Sequence, residues 1–315
     1  GQWEPVDATG APLTFADPIP HYMPHGSICT LSGAAGVGKT AFLAGQIVAP
    51  LLKGEPIIGQ ATNTPPAIGI LVCDRPWRDH EQWFSAAGVN NLTHLSLRDI
   101  EGYNWNVFKI NHQIPEIFAQ LIDLMQLPKG SLLIVDPLPL FIAGRLNDYK
   151  DVAIGLGQLD QVLQKRQLTM LGVFHTSKQK GNKNDRYIRP QDRILGSSAL
   201  IGYSETAFFM MSPDEAEHAY HQFGAIPHHM PALVVDYRRD DQGLFVPVAE
   251  LDQLATAMAV DTCIPPLGQT VSKTVLLQQL MKACQCAERT AEKHIHDLKA
   301  AGKIKKLGKT LFERC

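Results

Sequence analysis

The sequence contains no apolar run of the roughly 18 residues that a membrane-spanning helix needs, so neither helical spans nor a membrane partner is expected. Its opening residues, Gly1-Gln2-Trp3-Glu4-Pro5, have neither the basic nor the apolar region of a secretory signal, and a cytoplasmic protein is expected. Six cysteines are scattered irregularly over 315 residues. They suggest reduced thiols and no disulfide framework. Net charge is scarce too, −2 from 29 Lys+Arg and 31 Asp+Glu, so the chain as a whole does not attract nucleic acid strongly. Repeats and low-complexity tracts are missing. What is present is 45% hydrophobic residues, enough for a large core and too many for a disordered chain. The length suggests about two domains at roughly 150 residues each.

The small net charge hides an asymmetry. Residues 261–315 carry ten Lys+Arg against five Asp+Glu, which leaves 19 against 26 in the first 260. A basic tail on an acidic body points to an anionic partner for the C-terminal part.

Residues 1–25 are Pro-rich and weakly periodic, an N-terminal arm or cover. Short apolar runs at 27–31, 67–73, 132–135, 170–174, 206–211 and 232–236 then alternate with segments of helical period. That alternation predicts an α/β domain over 26–260 with a mainly parallel central sheet. The last two runs are separated by 212–231, rich in His, Pro and acidic residues, which is expected to be a surface excursion between a hairpin-like pair. Residues 261–269 form a linker signature. In 270–315, Ser272 is placed to cap a helix through Leu276, Leu277, Leu280 and Met281. A second helix from Glu288 carries Ala291, Ile295 and Leu298 on one face, and 303–312 alternate around Gly308 like a hairpin.

The strongest local signal is Gly33-Ala34-Ala35-Gly36-Val37-Gly38-Lys39-Thr40, which satisfies GxxxxGK[ST] between an apolar strand and a helix-forming run. Glycines let consecutive backbone N–H groups curl around phosphate oxygens, and the following helix adds the positive end of its dipole. Lys39 is then expected to reach the β- and γ-phosphates of a nucleotide, and the Thr40 hydroxyl to ligate Mg²⁺. The apolar run Leu132-Leu133-Ile134-Val135 ends in Asp136, placed as the carboxylate that holds Mg²⁺ and the attacking water. Cys284-x-Cys286 and His294-x-His296 have metal-ligand residue types. Their i, i+2 spacing does not put them on one helix face, so no zinc site is expected.

Four passages, in order, carry a family resemblance: His25-Gly26-Ser27-Ile28-Cys29-Thr30-Leu31-Ser32 leading into the loop, Asp136-Pro137-Leu138-Pro139-Leu140-Phe141, Val173-Phe174-His175-Thr176-Ser177-Lys178, and Gly196-Ser197-Ser198-Ala199-Leu200. Together they span about residues 20–245, and the chain resembles a RecA-fold P-loop ATPase of the RepA-like hexameric replicative helicase family related to DnaB. The resemblance implies ATP and Mg²⁺ as cofactors, and catalytic roles for Lys39, Asp74, Asp136, His175 and Arg239. His175 would sense the γ-phosphate. The basic stretch after it, with Lys178, Lys180, Lys183, Arg186 and Arg189, would line a central channel and grip single-stranded DNA. Arg239 matches an arginine donated to the next subunit's nucleotide, where it would stabilise charge on the γ-phosphoryl group. Two positions depart from the pattern. The family's catalytic glutamate is replaced by Asp74, one methylene shorter, and its lysine aligns with Tyr237.

Residues 270–315 resemble a winged-helix domain, with Arg289, Lys293, Lys305, Lys306 and Lys309 as contacts to duplex DNA. Winged helices also dock proteins, and that use stays open. The resemblance therefore implies a homo-oligomeric ring, a hexamer, that hydrolyses ATP on DNA as a replicative helicase-like protein of a plasmid, phage or other mobile element. The alternative is a DNA-binding regulator or loader in which ATP switches assembly with little turnover.

Overall fold

A computed structural model describes residues 15–100, 114–146, 148–176, 198–212, 220–248, 263–266, 269–284, 291–292, 295–296, 298–299, 303–307 and 311–314. The chain divides into two compact units, Gly1–Val246 and Pro247–Cys315.

The first unit grows from strands too apolar to tolerate water on either face. β1 (Ile28–Ala34), β2 (Ile68–Val72) and β4 (Leu132–Asp136) are buried at every residue. β3 (Thr93–Ser96), β5 (Thr169–Thr176), β6 (Thr206–Met211), β7 (His221–Pro227), β8 (Leu233–Arg239) and β9 (Phe245–Pro247) complete a nine-stranded sheet. Its order is β3-β2-β4-β5-β1-β6-β7-β8-β9. Strands β1 to β6 pair parallel, and β7 runs antiparallel to both β6 and β8. The expected α/β class with a mainly parallel central sheet is the one found. One correction follows: residues 221–227, inside the stretch taken for a surface excursion, are a full strand of the sheet. Phe223 and Ala225 on it are buried.

Alternation of side chains along each strand divides the core in two. Cys29 and Leu31 of β1, Ile70 and Val72 of β2, and Ile134 of β4 face one cluster; Ile28, Leu71, Leu133 and Val135 face the other. The first layer is closed by α1 (Lys39–Phe42), a π-helical stretch Leu43–Val48, α2 (Ala49–Lys53) and α3 (Arg78–Ala86). The second is closed by α4 (Ile114–Met125) and α5 (Tyr149–Arg166). The Asp148 carboxylate caps α5 by accepting from the Lys150 and Asp151 N–H groups. A short helix, α6 (Ser198–Tyr203), precedes β6. Within the expected N-terminal cover, Ile19 and Met23 are fully buried in the first cluster.

Phe42 joins the helix after the loop to the antiparallel strands. It stacks on Phe223 at 4.3 Å and meets the edges of Tyr237 and Phe245 at 5.1 and 5.6 Å. Such aromatic pairs add about 0.5–1.5 kcal/mol each beyond area burial.

Cys29 lies inside β1, where burial pushes its thiol up to about 12. Cys73, just after β2, is raised by burial and then by the charges of Asp136 and Asp74. The thiolate is the reactive form, so both cysteines should resist N-ethylmaleimide at pH 8 until urea unfolds the chain. Peptide mass spectrometry reads this directly, and rapid labelling of Cys29 in the folded protein would contradict it.

The second unit has its own apolar cluster. β10 (Thr270–Ser272), β11 (Ile304–Leu307) and β12 (Leu311–Arg314) form an antiparallel sheet of order β10-β12-β11. Ser272 accepts from the Val275 N–H at the start of α7 (Lys273–Cys284). Leu276, Leu280, Ala291, Ile295, Leu298, Ile304 and Phe312 are buried together, so the expected apolar face of the second helical segment does point inward.

Candidate functional site

The backbone of the glycine-rich loop is set by residues that only glycine suits. Gly36 and Gly38 have φ of +82° and +104°, a region that costs an L side chain energy. A Cβ on Gly38 would also strike the Arg239 guanidinium and, at 2.9 Å, the Phe245 ring. Lys39 follows at the start of α1, buried, with Nζ donating to the Gly33 and Ala34 carbonyls at 2.7 and 3.0 Å. Nζ also lies 3.1 Å from His175 Nδ1 at the end of β5. An ammonium only donates, so Nδ1 accepts and the ring proton sits on Nε2. Burial, and then the Lys39 charge, hold the His175 imidazole below its usual pKa, against the pull of Asp136 and Asp74. Thr40 is half-buried beside Lys39.

Two carboxylates stand at the ends of adjacent strands. Asp136 closes β4 and is buried; its carbonyl accepts from the Cys73 N–H at 2.9 Å, which fixes the chain leaving β2 beside it. Asp74 follows. Burial, and next the Asp136 charge, push the Asp74 carboxyl above the usual carboxylate range, against Arg75, His80 and His175. The Arg75 contact is long, 4.0 Å. Two like charges in partial burial with weak cationic relief suit a divalent cation, and carboxylates with the Thr40 hydroxyl are the hard oxygen donors that Mg²⁺ takes.

His80 is a site residue that the sequence did not single out. It is buried on α3, with Nε2 3.7 Å from an Asp136 oxygen. Its ring is parallel to that of Trp77 at 6.3 Å, and Nδ1 has no hydrogen-bond partner among the described residues. The signal that could have found it is the i, i+4 pair with Phe84: both are the buried residues of α3.

Arg239 ends β8 and comes to the other side of the loop. Its Nη2 donates to the Val37 carbonyl at 3.3 Å and its Nη1 to Gly243 at 3.2 Å, while the guanidinium lies 4.7 Å over the Phe245 ring. Tyr237, in the place of the family's lysine, is fully buried against Phe42. The fold thus gathers Lys39, Thr40, Asp74, Asp136 and His175 at one end of the sheet, with Arg239 against the same chain's loop.

A model of the AAA domain family matches residues 6–181, from the N-terminal segment through the loop, Asp74, Asp136 and His175. The chain belongs to the AAA domain family. No curated protein matches the sequence. Solved structures similar to this AAA domain chain include an ATPase domain, at 13% identity and TM-score 0.45, over 70% of this chain and 84% of the other. A KaiC-like protein of Pyrococcus horikoshii OT3 is 12% identical, TM-score 0.46, over 75% of this chain and 100% of its own. A DnaB-like replicative helicase is 12% identical, TM-score 0.48, over 71% of this chain and 58% of its own length.

Of the expected DNA contacts of this AAA domain protein, Lys178, Lys180, Lys183, Arg186, Arg189, Arg289, Lys293 and Lys309 lie outside the described residues. Lys305 and Lys306 are exposed on β11, and Lys305 pairs with Glu313 at 3.1 Å. Among the described residues no helix is long and apolar enough to cross a membrane.

Proposed function

We propose that this chain binds and hydrolyses ATP with Mg²⁺ and couples the reaction to single-stranded DNA in a homo-oligomeric ring, a hexamer, as a replicative helicase-like protein of a plasmid, phage or other mobile element. The observation that carries this reading is the 3.1 Å approach of Lys39 Nζ to His175 Nδ1. Lys39 is the group that meets the γ-phosphate, and His175 is the penultimate residue of β5, the strand that leads into the basic segment. Loss of the γ-phosphate changes what Lys39 donates to, and His175 is the first side chain to feel that change.

In this mechanism the loop N–H groups and Lys39 would hold the phosphates, and Thr40 and Asp136 would hold Mg²⁺. Bound Mg²⁺ supplies charge neutralisation at the phosphoryl oxygens. Asp74 accepts the proton of the attacking water. Burial, the first cause of its raised pKa, makes it a better proton acceptor than a fully solvated aspartate. The helices and small sheet of the second unit support the winged-helix reading, with Lys305 and Lys306 available to duplex DNA or a protein partner.

A second reading, a DNA-binding regulator or loader switched by ATP, is favoured by Asp74 in place of glutamate and by the buried Tyr237 in place of lysine. Steady-state ATP hydrolysis with and without single-stranded DNA separates the two, with Lys39→Ala as the blank. Severalfold stimulation by DNA is the expected result. Tight ATP binding with negligible turnover would replace the motor with the switch.

A further inference from the structure

Burying His80 destabilises the chain in a way that its apolar neighbours do not offset. The side chain is 5% exposed on α3, and Nδ1 meets no hydrogen-bond partner among the described residues. A buried polar atom left without a partner costs the desolvation of that atom. The ring lies parallel to Trp77 at 6.3 Å, one turn before Phe84 on the same buried face. That aromatic wall is itself fixed. The Trp77 backbone N–H donates to Asp99 Oδ2 at 2.9 Å, and the indole stacks on His94 at 4.0 Å and on Phe84 at 5.6 Å. A phenylalanine in place of His80 would pack against such a wall and bury no orphaned nitrogen.

What phenylalanine lacks is Nε2, which lies 3.7 Å from Asp136 Oδ2. A carboxylate only accepts, so the ring proton facing it sits on Nε2 and leaves Nδ1 a bare acceptor. A bare acceptor is easier to bury unpaired than an N–H, which agrees with the missing partner at Nδ1. At 3.7 Å the contact is longer than a hydrogen bond. The torsion that turns an aspartate's carboxylate plane is soft, whereas His80 is fixed by its helix and by the Trp77 wall. Closing the gap therefore falls to the carboxylate, and the imidazole decides which way it turns.

We propose that His80 is a positioning residue of the metal site: its Nε2–H engages Asp136 Oδ2 and fixes the carboxylate plane, so that Oδ1 is the oxygen presented to a divalent cation. The proposal rests on the reading of Asp136 as a metal ligand and of residues 33–40 as the nucleotide loop. Groups that orient a metal-binding side chain typically contribute about 10- to 100-fold in metal affinity. A purely structural histidine contributes nothing there, and replacing it by an apolar ring of similar shape leaves stability equal or higher. The two roles therefore separate in one set of variants.

The test uses the full chain and a fluorescent, non-hydrolysable ATP analogue, whose affinity is measured without divalent cation and then across a Mg²⁺ titration. His80→Phe should raise the Mg²⁺ concentration for half-maximal effect by about tenfold. It should leave the Mg²⁺-free affinity and the melting temperature no lower than in wild type. His80→Gln, whose amide nitrogen reaches the place of Nε2, should recover most of the loss. His80→Asn, whose amide reaches only the place of Nδ1, should not. In an Asp136→Asn background His80→Phe should add nothing further, because the group it positions is no longer charged. A wild-type Mg²⁺ midpoint in His80→Phe, or equal recovery by Asn and Gln, overturns the proposal. If His80→Phe fails to fold, the Gln and Asn pair decides alone. An Asp136→Asn protein with a wild-type midpoint would instead overturn the metal-ligand reading, and wild-type protein that binds no analogue would overturn the nucleotide-loop reading.

Discussion

Lys39→Ala is expected to lower ATP affinity by about 100-fold or more and to leave no measurable hydrolysis. Nζ is buried and already donates to two loop carbonyls, so it is held where the loop closes. Two charge-assisted hydrogen bonds to phosphate are worth about 1.5–3 kcal/mol each, and their joint loss corresponds to about two or more decades of affinity. Alanine cannot replace either. The substitution also removes a cation that lowers the His175 pKa, so the His175 titration should move up toward its usual value, visible by NMR. Equilibrium binding of a fluorescent ATP analogue tests the main effect. Affinity within a few-fold of wild type would dismiss Lys39 as a phosphate ligand.

Asp136→Asn should separate binding from chemistry. The side chain keeps its shape, but the charged ligand at the end of β4 becomes a neutral one. Metal-assisted charge stabilisation is worth several kcal/mol in such sites, so Mg²⁺-dependent hydrolysis should fall by about 100-fold or more, at 1.36 kcal/mol per decade. ATP binding without Mg²⁺ should change little. Stability should not drop, because Asp136 raises the Asp74 pKa by repulsion and the amide relieves it. A Mg²⁺ titration of the rate, with a melting curve beside it, reads both effects. Hydrolysis at the wild-type level would remove Asp136 from the metal site.

What the sequence made legible was chemistry carried by contiguous residues. The phosphate loop, Asp136 at a strand end and His175 after an apolar run each announce themselves within about ten positions, and the fold brings them together. The strands missed are those whose environment does not demand a continuous apolar run. β3 is an edge strand with exposed Thr93 and His94. β7 carries His221, Gln222 and Gly224 among its apolar residues, and Gly224 is required because the Phe209 ring of β6 occupies the space of a Cβ. His80 was invisible for a different reason. Its i, i+4 spacing with Phe84 marks only a buried helix face, and burial beside Asp136 is what gives it meaning. Arg239 was legible as a cation at a strand end, but its contact with the Val37 carbonyl depends on a turn that packs on α1 through Phe245.

The reversal at β7 also decides where the molecule can be handled. Because β7 runs against both neighbours, the connection from β7 to β8 falls at the rim of the sheet opposite the phosphate loop. Residues 228–232 there are all exposed. A dye, a biotin acceptor peptide or a surface tether spliced between Met230 and Pro231 would sit a full strand length from the nucleotide chemistry. Single molecules could then be anchored and watched through turnover without a label touching the site.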